Sequence, residues 1–116
     1  MKTPRLKLPA RLVLLAAGAW CVTQASLAAE VAENWNKHCA SCHGKDGVGK
    51  TKMGAKLSIK DLTDAKFQES FTDEAAFKAV REGIKDKDGK TRMKPIEGLS
   101  DDEINALVKQ VRTLRK

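Results

Sequence analysis

Apolar and polar positions change character several times along the chain. Lys2, Arg5, Lys7 and Arg11 form a basic head with no acid among them. An unbroken apolar run follows from Leu12 to Val22, then the small-residue stretch Ala25-Ser26-Leu27-Ala28-Ala29. That order is the order of a secretory signal peptide, with Ser26 and Ala28 at the small positions before the cut. Residues 1–28 are therefore expected to be a cleaved leader, and 29–116 the mature domain. The run of 11 apolar residues falls short of the ~20 that span a bilayer as a helix, so no stable membrane span is expected. Cys21 follows Trp20, where a lipoprotein signal would carry a small residue.

Beyond Ala29 the hydrophobic period is helical. Val31 and Trp35 lie four apart, and the next step of four reaches Cys39, so an N-terminal helix leads into the cysteines. Gly44, Gly47, Gly49 and Gly54, interleaved with lysines, predict a loop. Leu57, Ile59 and Leu62 suggest a short helical turn. Thr72-Asp73-Glu74 opens a helix that Gly83 ends, with Phe77, Val80 and Ile84 as its apolar face. Lys85 to Arg92, around Asp88-Gly89, reads as a surface loop. Ser100 and Glu103 make a capping box for a last helix whose Ile104, Leu107, Val108, Val111 and Leu114 share one face. No useful strand alternation appears. The expected architecture is all-α, with three to four short helices.

Charge looks at first like a polyanion footprint: 22 basic against 15 acidic residues give +7 over 116 residues. Removing the leader takes away four basic residues and no acidic one, leaving +3, and the case for nucleic acid goes with it. The surplus is also local. Residues 45–60 carry +4 and residues 85–94 carry +3, so the rest of the mature domain is net acidic. With Trp35 and three phenylalanines as the only mature aromatics, so small a domain is short of core.

Cys39-Ala40-Ser41-Cys42-His43 is the C-x-x-C-H arrangement of covalent haem c attachment. Two thiols one helical turn apart can each add to a vinyl group of one porphyrin, and the adjacent imidazole then lies beneath the iron. One such motif means one haem, which also supplies the missing apolar core. A thioredoxin-type pair would call for a β-α-β setting that the pattern lacks. A zinc site would have to converge His38, Cys39, Cys42 and His43 on one tetrahedron, which contiguous helical residues do poorly. His38 reads as an ordinary polar residue pointing away near the helix end.

The sixth ligand falls to a methionine, since no histidine lies beyond His43. Met53 is ten residues away in the glycine-rich loop and reads as haem-edge packing. Met93, beyond the middle helix and followed by Lys94 and Pro95, is the expected ligand. The stretch Asp86-Lys87-Asp88-Gly89 is no calcium loop, because Ile84 and Pro95 would occupy its first and twelfth positions.

Together the helix with an aromatic four residues before Cys-x-x-Cys-His-Gly, the glycine-rich loop, Met-x-Pro and Leu-Ser-Asp-Asp-Glu-Ile resemble a class I c-type cytochrome over residues 29–116. The resemblance implies a mono-haem, His43/Met93-ligated fold in which Trp35 and Val31 meet the Leu107 and Val111 face. Two features depart from it. The usual proline after the haem motif is missing, so the carbonyl that would orient His43 is unidentified. There is no tyrosine for the haem propionates, which leaves Arg92, Lys52 and Lys56 as candidates.

Filled axial positions favour one-electron transfer over chemistry at the metal. The expected function is a non-enzymatic electron carrier, exported to the periplasm and monomeric. It would shuttle between redox proteins that present acidic docking patches. The alternatives are a haem subunit of a larger oxidase or dehydrogenase complex, or a haem peroxidase or sensor if Met93 does not ligate iron.

Overall fold

The computed structural model describes residues 15–116, with side chains from position 25 onward. The basic head and the start of the apolar run lie outside the described residues. The chain divides into two compact units, Met1–Glu30 and Val31–Lys116. Helix α1 runs from Leu15 to His38 without a break at Ala28. Among the described residues no helix is long and apolar enough to cross a membrane.

The second unit holds the end of α1 and then α2 (Ala40–His43), α3 (Lys52–Leu57), α4 (Ala65–Glu69), α5 (Asp73–Glu82), β1 (Ile84–Lys85), β2 (Thr91–Met93) and α6 (Asp101–Thr113). Local chemistry sets most of these boundaries. Thr72 accepts the N–H of Ala75 at the start of α5, and Gly83 closes it at φ 76°. Both halves of the Ser100/Glu103 capping box are formed, a device worth ~1 kcal/mol.

Three features depart from the sequence expectation. The glycine-rich segment is not loop throughout: Thr51 caps α3 by accepting the Gly54 N–H at 2.8 Å. This helix ends at Ser58, which takes a left-handed φ of 53°, so Ile59 and Leu62 fall beyond the turn expected for them. Helix α4 has no counterpart in the sequence pattern; the Asp64 side chain caps it through Phe67 N–H at 2.8 Å. The surface loop from Lys85 is the tip of an antiparallel hairpin, β1 against β2, pairing Ile84 with Met93 and Lys85 with Thr91. Asp86 organises that tip, its Oδ1 accepting the N–H groups of Asp88 (3.0 Å) and Lys90 (2.9 Å). Strands of two and three residues are too short to display a period of two.

The core is small. Trp35, Cys39, Leu99, Ile104, Leu107 and Val108 are buried together, with Val31, Leu62, Phe77, Val80 and Val111 packed around them. Val31 and Trp35 share this core cluster with Leu107 and Val111, and Asn34 Nδ2 donates to Glu103 Oε1 at 3.2 Å, joining α1 to α6. Buried Gln68 ties α4 to α6 by donating to the carbonyls of Leu62 (2.7 Å) and Val111 (2.6 Å). Arg112 adds bonds to the carbonyls of Gln68 (2.5 Å) and Phe71 (2.8 Å) and to Asp73 (2.7 Å), with its guanidinium over the Phe71 ring. Arg81 pairs with Asp101, and Arg115 with Glu69.

Candidate functional site

Helical geometry carries the end of α1 straight into the cysteine motif. Cys39 N–H donates to Trp35 C=O at 2.9 Å, and His43 N–H to Cys39 C=O at 2.9 Å. Cys39 is buried, Cys42 half-buried, and both are free thiols. Burial, with Cys42 adding to it, pushes the Cys39 thiol up to about 11. A thiol so shifted stays protonated at neutral pH.

The turn after His43 is pinned from the glycine-rich segment. Gly49 N–H donates to His43 C=O at 2.8 Å, and Thr51 Oγ1 donates to Cys42 C=O at 2.7 Å. Thr51 thus caps α3 and holds the attachment motif with one hydroxyl. Only glycine fits at position 54, because a Cβ there would run into the Gly49 carbonyl and lie 2.8 Å from the Cys42 carbonyl and 2.9 Å from Thr51 Oγ1. Trp35 approaches from the core: its ring centroid is 6.3 Å from that of His43, and its Nε1 donates to Gly44 C=O at 3.2 Å. Burial lowers the His43 pKa, favouring neutral imidazole. Its Nδ1 is buried without a hydrogen-bond partner. Among the described residues, no carbonyl takes the place of the missing proline carbonyl.

A cavity of about 1210 Å³ opens beside these residues. Cys39, Cys42 and His43 line it, as does Met93, fifty residues further along the chain. Apolar wall comes from Leu57, Phe67, Phe71, Ala76, Val80, Ile96, Leu107 and Val111. Met93 is half-buried in β2, and Gly83 shapes its backbone: at φ 76°, a Cβ on Gly83 would stand 2.5 Å from Met93 O and 2.8 Å from Pro95 N. Ile96 N–H donating to Val80 C=O at 2.9 Å continues that contact.

Met53 lines the same cavity from α3 and is 43% exposed. His38 also lines it, half-buried, whereas its sequence position suggests a side chain pointing away. Of the three candidate propionate partners, Arg92 and Lys56 line the cavity and Lys52 does not. Exposed Lys56, Lys60, Lys78, Lys85 and Lys94 stand at its rim. Lys87 and Lys90 lie in the hairpin tip and are not part of it.

The donor set along this one cavity is two thiols, the imidazoles of His43 and His38 and the thioethers of Met53 and Met93, in a largely apolar enclosure. It fits a porphyrin iron held by thioether bonds, with the His43 imidazole beside the two cysteines as a ligand. Among the described residues, no three His, Cys, Asp or Glu side chains converge on one bare metal position.

Comparison with known proteins agrees with the site. The family model described as cytochrome c oxidase, cbb3-type, subunit III matches residues 26–109. Among solved structures, the chain is similar to the c-type cytochrome KustC0563, with 31% identity and a TM-score of 0.63 over 73% of this chain and 96% of that one. A point mutant of KustC0563 aligns with 30% identity and a TM-score of 0.61, over 74% of this chain and 99% of that one. The search of curated proteins found no match.

Proposed function

Because the chain belongs to the cbb3-type cytochrome c oxidase subunit III family, as a class I mono-haem c-type cytochrome with covalently attached haem c, we propose that it is an exported one-electron carrier with His43 and Met93 as axial ligands. The observation that carries this reading is the convergence of Cys39, Cys42, His43 and Met93 on one apolar cavity from separate parts of the chain.

The haem supplies the redox chemistry, a one-electron change at its iron. The residues hold and tune it. Cys39, the N-cap of α2, and Cys42, within it, would anchor the ring through thioethers one helical turn apart. His43, positioned by Trp35 and by the pinned carbonyls of residues 42–44, would supply one iron ligand. Met93, positioned by Gly83 and the hairpin, would supply the other. A thioether ligand from Met93 would favour the reduced metal and, with His43, would suit electron transfer better than chemistry at the iron. The apolar wall excludes water and lowers the local dielectric, which also favours the less charged ferrous state.

The lysines at the rim supply docking. Transient redox interfaces are small and depend on charge steering, so Lys56, Lys60, Lys78, Lys85 and Lys94 suit a partner with an acidic patch. Residues 1–28 act as the export signal, which puts the carrier in the periplasm.

The oxidised absorption spectrum of the purified holoprotein tests the ligand assignment. The weak red thioether-to-iron band is expected in the parent and in Met53→Leu, and absent in Met93→Leu. A parent without the band overturns the reading. The family match favours one second reading, a haem subunit bound within an oxidase. Co-purification of the native protein with a large membrane complex would select it over the free carrier.

A further inference from the structure

The strand bearing Met93 is held unequally on its two sides. Towards α5 it has several attachments: the Ile84–Met93 pairing, the close approach of Gly83 to the Met93 carbonyl, and the Ile96 to Val80 hydrogen bond. Towards α3, across the cavity, one hydrogen bond is found among the described residues. It runs from Arg92 Nη2 to Leu57 C=O at 2.7 Å.

Leu57 is the last residue of α3, and its carbonyl is one of those a helix end leaves without an intrahelical donor. A guanidinium is well suited to the position, since basic side chains readily bond terminal helix carbonyls and charge-assisted bonds are the stronger kind. Arg92, Leu57, Met53 and Met93 all line the cavity, so the bond closes a ring of structure around it.

We propose that Arg92 is a positioning residue: by tying the Met93 strand to the end of α3, it sets how readily the Met93 side chain yields its place to a small ligand entering the cavity. This rests on the reading of Met93 as the axial ligand.

Imidazole binding to the ferric holoprotein, followed by absorbance, reads the effect directly. Imidazole is largely neutral above pH 8, so removing the arginine charge does not itself alter its attraction to the cavity. Arg92→Gln is expected to bind imidazole at least tenfold more tightly than the parent, about 1.4 kcal/mol. Arg92→Lys, which keeps a long charged donor, should recover part of the difference. Lys90→Gln, two residues away at the exposed hairpin tip, should match the parent. Parent-like affinity in Arg92→Gln overturns the proposal, as does an equal rise in Lys90→Gln, which would mean general loosening of the hairpin. If the parent lacks the red thioether band, the Met93 assignment fails instead. A parent with the band and an unchanged Arg92→Gln disposes of the tether alone.

Discussion

Gly83→Ala should detach Met93 from iron while leaving the haem attached. Gly83 lies at φ 76°, ψ −178°, a region that only glycine occupies at low cost, and a side chain there costs about 1–3 kcal/mol. A second penalty is steric. The new Cβ would meet Met93 O at 2.5 Å and Pro95 N at 2.8 Å, both backbone atoms, and Pro95 Cδ at 2.9 Å. No rotamer change relieves such contacts, so the strand carrying Met93 must move. Gly89 provides the control. It also has a positive φ, 78°, but a Cβ there would meet nothing within 4 Å, so Gly89→Ala bears only backbone strain of about 1–2 kcal/mol. Two measurements on each holoprotein separate the effects: denaturant unfolding reads the total cost, and the red band of the oxidised spectrum reads the ligand. Both variants should lose stability, Gly83→Ala more, and only Gly83→Ala should lose the band. A Gly83→Ala protein that keeps the band at the stability of Gly89→Ala would refute the argument that this glycine places Met93.

Two further outcomes follow from the cavity and its rim. The Cys39→Ala/Cys42→Ala double variant, unable to anchor haem, leaves about 1210 Å³ of apolar space beside a core of six buried apolar residues. It should show little helical circular dichroism and no cooperative melt, whereas a native-like melt would show that the protein closes its own core. Reversing Lys85 and Lys94 to Glu should slow reduction by an acidic redox partner at least tenfold at low salt, with the difference shrinking as ionic strength rises. The same reversal at Lys87 and Lys90, outside the rim, should have a clearly smaller effect; equal slowing would assign docking to net charge alone.

Features written in adjacent residues are readable from the sequence, and features that depend on distant partners are not. The α5 and α6 starts are legible because Thr72 and Ser100 satisfy backbone donors within three residues of themselves. The cysteine motif is legible for the same reason, its spacing being that of one helical turn. Helix α3 is hidden because glycine at position 54 signals a loop, and the need for it is a close approach to the carbonyls of Gly49 and of Cys42, twelve residues back, which no spacing reveals. The hairpin is hidden by strands too short for a pattern. The orientation of His38 depends on where the cavity lies, which no neighbouring residue reveals, and the link from Arg92 to Leu57 spans 35 residues.

The two kinds of basic side chain divide their duties. Three ion pairs use an arginine, Arg81 with Asp101, Arg112 with Asp73 and Arg115 with Glu69, and tie α4 or α5 to α6 or to the residues just after it. The five lysines at the cavity rim take part in none of them. Guanidinium groups with fixed, forked donors suit such bracing, while ammonium groups on flexible stems stay hydrated and adjustable. Scaffold and surface charge can therefore diverge independently: a lineage that acquires a new redox partner can redraw its lysine pattern residue by residue, with no brace between helices to rebuild at any step.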